Sequence, residues 1–161
     1  AGAEKISVNS PALARPGLID ELSARFGSQC VVVGIDSEQT ADGYRVYQFT
    51  GDPNRSRNSG RDTLEWAREA QDRGAGEIVL NCMGSDGVRR GYDLAQLSAV
   101  RKLCSVPLVA SGGAGEPRHF QDVFEHSGVD AALAASVFHS GAIVVRELKR
   151  ELRAAGIEVR P

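Results

Sequence analysis

Short, near-continuous apolar runs at residues 5–9, 30–36, 77–83, 106–111 and 130–136 alternate with longer amphipathic stretches. In the stretches at 16–26, 61–73, 94–103, 118–127 and 143–155, apolar residues recur every three or four positions. Runs with little polar alternation suit parallel strands covered on both faces, and the 3.6-residue period suits helices laid against them. Pro16 and Pro117 stand where a first helical turn tolerates proline. Gly27, Gly74 and Gly128 stand just past the predicted helix ends, where a left-handed cap is wanted. The β-α order, repeated along the chain, specifies right-handed crossovers and a parallel sheet.

One interval breaks the rhythm. Between Asp36 and Arg61, Tyr44-Arg45-Val46-Tyr47-Gln48-Phe49 alternates polar and apolar residues, the period of a half-exposed strand. It predicts a small hairpin whose partner precedes Asp42-Gly43. The polar tract 50–60 reads as a mobile loop, either a substrate lid or a plain insertion.

With 161 residues the chain is long enough for one domain, 1–161, and too short for two. It holds about five βα units, against the eight that close a barrel. The expected fold is therefore α/β, a parallel (β/α) half-barrel of the TIM-barrel type, completed by oligomerisation into a homodimer or higher homo-oligomer. In one arrangement, four units from each of two copies close the barrel. Strand 30–36 of one copy then pairs with 130–136 of the other, and 5–9 is displaced.

Composition narrows the partners. A formal net charge of −2 supplies no drive toward a polyanion, so nucleic acid is not expected. No apolar run approaches the ~20 residues that span a bilayer, and no signal-peptide pattern opens the sequence. A cytoplasmic location without membrane contact is expected. Cys30, Cys82 and Cys104 are odd in number and lie in or beside apolar segments, as buried free thiols do. His119, His126 and His139 show no metal-ligand spacing and read as surface or capping residues. No metal and no cofactor is expected.

The chemistry concentrates at strand ends. Ser111-Gly112-Gly113-Ala114-Gly115 follows one apolar run, and Ala134-Ala135-Ser136-Val137-Phe138 follows the next. Glycine after a buried strand lets backbone approach an anion, and a helix start then points unpaired N–H groups at it. Two such loops in succession resemble the phosphate grip of many barrels, so a phosphorylated small molecule or inorganic phosphate is the expected ligand. Asp86-Gly87 stands in the same relation to its own strand, either as an ordinary tight turn or as a carboxylate and a backbone donor at the mouth. Asn9-Ser10 closes the first strand, as a turn or as a second phosphate contact. Asp36 ends Val31-Val32-Val33-Gly34-Ile35-Asp36, at the barrel end where active sites are built. It is either a general acid–base group or the cap of the next turn.

Taken in order, these residues resemble the cyclase subunit of imidazole glycerol phosphate synthase, of histidine biosynthesis. The stretches that carry the resemblance begin with Glu4-Lys5-Ile6-Ser7-Val8-Asn9-Ser10, the run ending in Asp36, and Gly74-Ala75-Gly76-Glu77-Ile78. They continue with Asp86-Gly87 and Gly91-Tyr92-Asp93, then Ala110-Ser111-Gly112-Gly113-Ala114-Gly115, then Leu133-Ala134-Ala135-Ser136-Val137-Phe138-His139. Together they span nearly the whole chain.

The resemblance implies a (β/α)8 barrel through which ammonia from a glutaminase subunit travels. The ammonia attacks a phosphoribulosyl-formimino aminoimidazole carboxamide ribonucleotide, giving imidazole glycerol phosphate and the aminoimidazole carboxamide ribotide. By position, Asp36 matches the catalytic aspartate at the end of the fifth barrel strand. Asp86, Gly87, Gly112, Gly113, Ala135 and Ser136 match the grip on one substrate phosphate, and Asn9 and Ser10 match part of the grip on the other. Lys5 and Glu77 match members of a charged ring where ammonia enters. The family's strands one to three, and the second catalytic aspartate on the first of them, have no counterpart in these residues. On this basis the chain is expected to be weakly active or inactive alone. The alternatives are a non-catalytic phosphate-binding fragment or oligomeric scaffold, or a related phosphosugar isomerase.

Overall fold

The computed structural model of the protein describes residues 2–160. Among the described residues all strands join one sheet, ordered β4 (Arg57–Asp62), β3 (Gly43–Gln48), β2 (Val31–Thr40), β5 (Glu77–Cys82), β6 (Leu108–Ser111) and β7 (Ala131–Ala132), with β1 (Ile6–Val8) also on β2. The parallel strands are β1, β2, β5, β6 and β7. They neighbour one another in chain order, as in a barrel wall, and the sheet is left open. No helix among the described residues is long and apolar enough to cross a membrane.

Alternation along the strands separates two faces. Val31, Val33 and Ile35 of β2, Ile78 and Leu80 of β5, and Leu108 and Ala110 of β6 are fully buried. Against them lie α2 (Gly17–Phe26), α3 (Thr63–Asp72), α4 (Leu94–Arg101), α5 (Pro117–Ser127) and α7 (Val145–Ala154). Their apolar faces supply Ile19, Trp66, Leu97, Val100, Val123 and Leu148 to one continuous core. The opposite face carries Val79, Asn81, Val109 and Ser111, all only half-buried. The register aligns Asp36 with Asn81, and Asn81 with Ser111, as a polar row across the C-terminal ends of three strands.

The expected hairpin is present. The second half of β2 turns back into β3 (Gly43–Gln48), antiparallel from Asp36↔Tyr47 to Thr40↔Gly43. The tract 50–60 departs from the expected mobile loop. Residues 57–60 belong to β4 (Arg57–Asp62), a third antiparallel strand on β3. The turn before it is closed by bonds from the Arg55 and Ser56 N–H groups to the Asp52 carbonyl, both 2.9 Å. Polarity hid this strand because it is an edge strand whose side chains face water. The following helix starts at Thr63 rather than at 61, where the Asp62 carboxylate accepts from the Leu64 and Glu65 N–H groups at 2.8 and 3.1 Å.

Two further differences bear on the site. The run expected as a strand over 130–136 forms only the short β7, because one side has no partner, and Ser136 instead opens the short helix α6 (Ser136–His139). Another short helix, α1 (Ser10–Ala14), follows β1 directly. The arrangement pairing 30–36 of one copy with 130–136 of another does not fit this fold. One edge of β2 is taken by β1 (Ile6↔Val31 to Val8↔Val33) and then by β3, and the other by β5.

Candidate active site

Asp36 lies one residue before the end of the parallel part of β2 and is 8% exposed. Among the described residues its carboxylate takes three neutral donors and no cation. Asn9 Nδ2 and Thr50 Oγ1 donate to Oδ2 at 2.7 and 2.6 Å, and Asn81 Nδ2 donates to Oδ1 at 2.9 Å. Each donor comes from a different element: Asn9 follows β1, Thr50 lies two residues past β3, and Asn81 is in β5. Asn9 reaches Asp36 across Gly34, where an added Cβ would stand 3.5 Å from the Asn9 Cβ. Asn9 Oδ1 is buried without a hydrogen-bond partner among the described residues.

Beside this carboxylate, the loops after β5, β6 and β7 enclose a cleft of about 280 Å³. Asp86, Gly87, Gly112, Gly113, Ala135 and Ser136 line it, with Asn81 and Arg89. Backbone geometry explains the glycines. Gly113 has φ +115, and a Cβ there would fall 2.0 Å from the Gly91 carbonyl oxygen. The two residues are joined by the Gly91 N–H to Gly113 carbonyl bond at 2.9 Å. The Gly91-Tyr92-Asp93 motif thus ties the loops together: the Tyr92 hydroxyl donates to the Leu133 carbonyl at 3.0 Å, and Asp93 caps α4 through the Gln96 N–H. Burial pushes the Tyr92 phenol well above its ordinary pKa, which keeps that donor protonated. The N–H groups of Gly87, Gly113 and Ser136 have no hydrogen-bond partner among the described residues.

Asn9 and Ser10 lie apart from this cleft. The Asn9 amide is committed to Asp36, and the Ser10 hydroxyl oxygen accepts the Phe49 N–H at 2.9 Å. Lys5 and Glu77 form an ion pair at the opposite, N-terminal end of the strands. Residues far apart in sequence and matched to one charged ring do meet.

His119 Nδ1 accepts the Gly115 and Glu116 N–H groups at 3.0 and 3.3 Å, capping α5, and His126 and His139 are on the surface. Cys82 and Cys104 are buried, with their thiol pKa values raised chiefly by that burial, and Cys30 is half-buried. Among the described residues no group of three or more His, Cys, Asp and Glu side chains is placed to hold a metal.

Sequence reasoning missed Thr50, Asn81 and Arg89. Asn81 had a signal, since it stands near the end of a predicted strand, and the fold sets it in register with Asp36. Thr50 had none, because it reaches Asp36 only once the hairpin has folded back. Arg89 adopts φ +59, an uncommon left-handed conformation for a side-chain-bearing residue. A Cβ on Gly115 would strike the Arg89 backbone.

A parallel sheet of consecutive strands, helices on one face and a glycine-walled cleft beside a buried carboxylate at the strands' C-terminal ends define an α/β protein of the TIM-barrel type. The match to known proteins is narrower. Residues 1–144 fit the model of the histidine biosynthesis protein family, and the chain belongs to that family. It is 66% identical over 161 residues to imidazole glycerol phosphate synthase subunit HisF of Xanthomonas euvesicatoria pv. vesicatoria (strain 85-10), covering 99% of this chain and 62% of that protein. It is 63% identical over 161 residues to the same subunit of Stenotrophomonas maltophilia (strain R551-3), with the same coverage. The chain thus spans 62% of the length of these curated relatives.

Proposed function

We propose that this chain carries the Asp36 half of a cyclase active site that takes a phosphorylated ribonucleotide and ammonia to imidazole glycerol phosphate. The observation that carries the proposal is the double role of Asn81. Its amide donates to Asp36 at 2.9 Å, and the same residue lines the glycine cleft. A phosphate in that cleft is thereby placed beside the carboxylate, with no intervening element.

The chemistry follows from the charges. Ammonia that adds to an electrophilic carbon leaves a cationic nitrogen, which must shed a proton. Asp36, held by neutral donors and free of a cation, is an available acceptor for it and an available donor to the departing nitrogen. Free N–H groups at Gly87, Gly113 and Ser136 offer hydrogen bonds to phosphate oxygens, with Arg89 as a nearby cation. At the other end of the strands, the Lys5–Glu77 pair belongs to the entry for ammonia, against which a glutaminase subunit docks. The relatives align with 99% of this chain, which favours a working part of such an enzyme over an unrelated scaffold.

Inorganic phosphate titrated into the 15N-labelled protein tests the cleft. The Gly87, Gly113 and Ser136 amides are expected to shift first and together. If none of them moves at millimolar phosphate, the assignment fails.

A further inference from the structure

His119 stands in the first turn of α5, and its side chain is 13% exposed. Nδ1 accepts two backbone N–H groups, from Gly115 at 3.0 Å and from Glu116 at 3.3 Å. A backbone N–H can only donate, so Nδ1 is bare and the neutral ring carries its proton on Nε2. Nε2 faces Glu116 Oε1 at 3.4 Å, which suits that tautomer. The bond from Glu116 is ordinary for the third residue of a helix, which reaches back to the N–H of the capping residue. The bond from Gly115 is not, because Gly115 precedes the cap and belongs to the loop after β6.

That loop needs fixed ends. Gly112 and Gly113 have φ +88 and +115, and glycine gives a chain its widest conformational freedom. One end is set by β6, which stops at Ser111, and the other by His119. The same imidazole meets the neighbouring loop: a Cβ on Gly91 would stand 3.5 Å from His119 Cδ2. Gly91 in turn donates its N–H to the Gly113 carbonyl at 2.9 Å. Gly115 lies so close to the Arg89 backbone that a Cβ on it would fall 2.3 Å from the Arg89 carbonyl oxygen. Phe120, next in the helix, packs edge-on against the Tyr92 ring, with centroids 5.7 Å apart. His119 thus stands where the β5 and β6 loops meet, behind the residues that line the cleft.

We propose that His119 is a positioning residue for phosphate in the glycine cleft. Through the Gly115 N–H it holds the β6 loop so that the Gly113 N–H meets a phosphate oxygen without rearrangement of the loop. The proposal deepens the reading of that cleft as a phosphate site and rests on it. A loop ordered before the ligand arrives loses less conformational entropy on binding, and the difference appears as affinity.

The test titrates inorganic phosphate into the 15N-labelled native chain, His119→Leu and His119→Gln at mildly alkaline pH, following the Gly113 and Ser136 amides. Leucine fills the space without an acceptor, and glutamine restores one at the position where helices use it. His119→Leu is expected to raise the half-saturating phosphate concentration about fivefold, the worth of one ordinary hydrogen bond. His119→Gln is expected to stay close to the native value. Equal losses in the two variants overturn the proposal, since the acceptor would then not be what matters. Urea unfolding separates positioning from capping: a lowered midpoint in His119→Leu with unchanged half-saturation makes the residue a helix cap alone and overturns the proposal. The native chain offers a check that needs no variant. Its imidazole 15N signals are expected to show a bare Nδ1 and a protonated Nε2, and the opposite tautomer overturns the proposal. Native Gly113 and Ser136 amides that ignore phosphate remove the cleft and the role of His119 with it. A native response that His119→Leu leaves intact removes His119 alone.

Discussion

At the scale of single residues, a buried carboxylate without a counter-charge stands on hydrogen bonds alone, and Asp36 has three, all from neutral side chains. Asp36→Asn keeps the shape and removes the proton-accepting oxygen. In an assembled cyclase that contains this half, it is expected to lower ammonia-dependent turnover about 10²–10⁴-fold while phosphate still binds the cleft. Turnover that persists undiminished would remove Asp36 from the chemistry. Thiol reactivity offers a check on burial. Desolvation raises the pKa of Cys82 and Cys104, so both stay protonated and shielded near neutral pH. Alkylation followed by mass spectrometry is expected to label Cys30 first, and rapid labelling of Cys82 would contradict the packing described here.

At the scale of elements, the loops act as a unit because they are bonded to one another rather than merely adjacent. Gly113→Ala would drive a methyl group toward the Gly91 carbonyl, 2.0 Å from the new atom. The β6 loop must then shift, and phosphate affinity at the cleft is expected to fall at least tenfold in the same titration. The hairpin and α3 make a second unit. Asp62 ends β4, caps α3 through two N–H groups, and stands 3.8 Å from Arg45 of β3. Asp62→Ala is expected to cost about 1 kcal/mol, most of it from the lost cap. The ion pair adds little, since both partners are partly exposed. Urea denaturation measures the loss, and an unchanged midpoint would show that the cap is dispensable.

For the whole molecule, the outer edges of β1 and β7 have no strand partner among the described residues, and the inner face leaves Val79 and Val109 half-exposed. Parallel strands are ordinarily covered on both faces and paired on both edges. This chain by itself is therefore expected to associate through β1 and β7, leaving β2 paired as it is. Light scattering at micromolar concentration should give a mass above that of one chain, and a single-chain mass would refute the expectation.

The sequence by itself determined the layered α/β order and the strand ends that form the candidate site, because hydrophobic period and glycine placement are local properties of the backbone. It singled out Asp36 and the glycine loops, while Lys5 and Glu77 came from the family resemblance; in the fold the first two lie at the C-terminal ends of the strands and the ion pair at the other end. It did not show that 57–60 are a strand, since an edge strand facing water has no hydrophobic signature. Nor did it show that β2 is already paired on both edges, that Ser136 opens a helix, or that Thr50 reaches Asp36. Those facts arise from contacts between residues distant in the chain, and such contacts exist only once the hairpin has folded over the sheet.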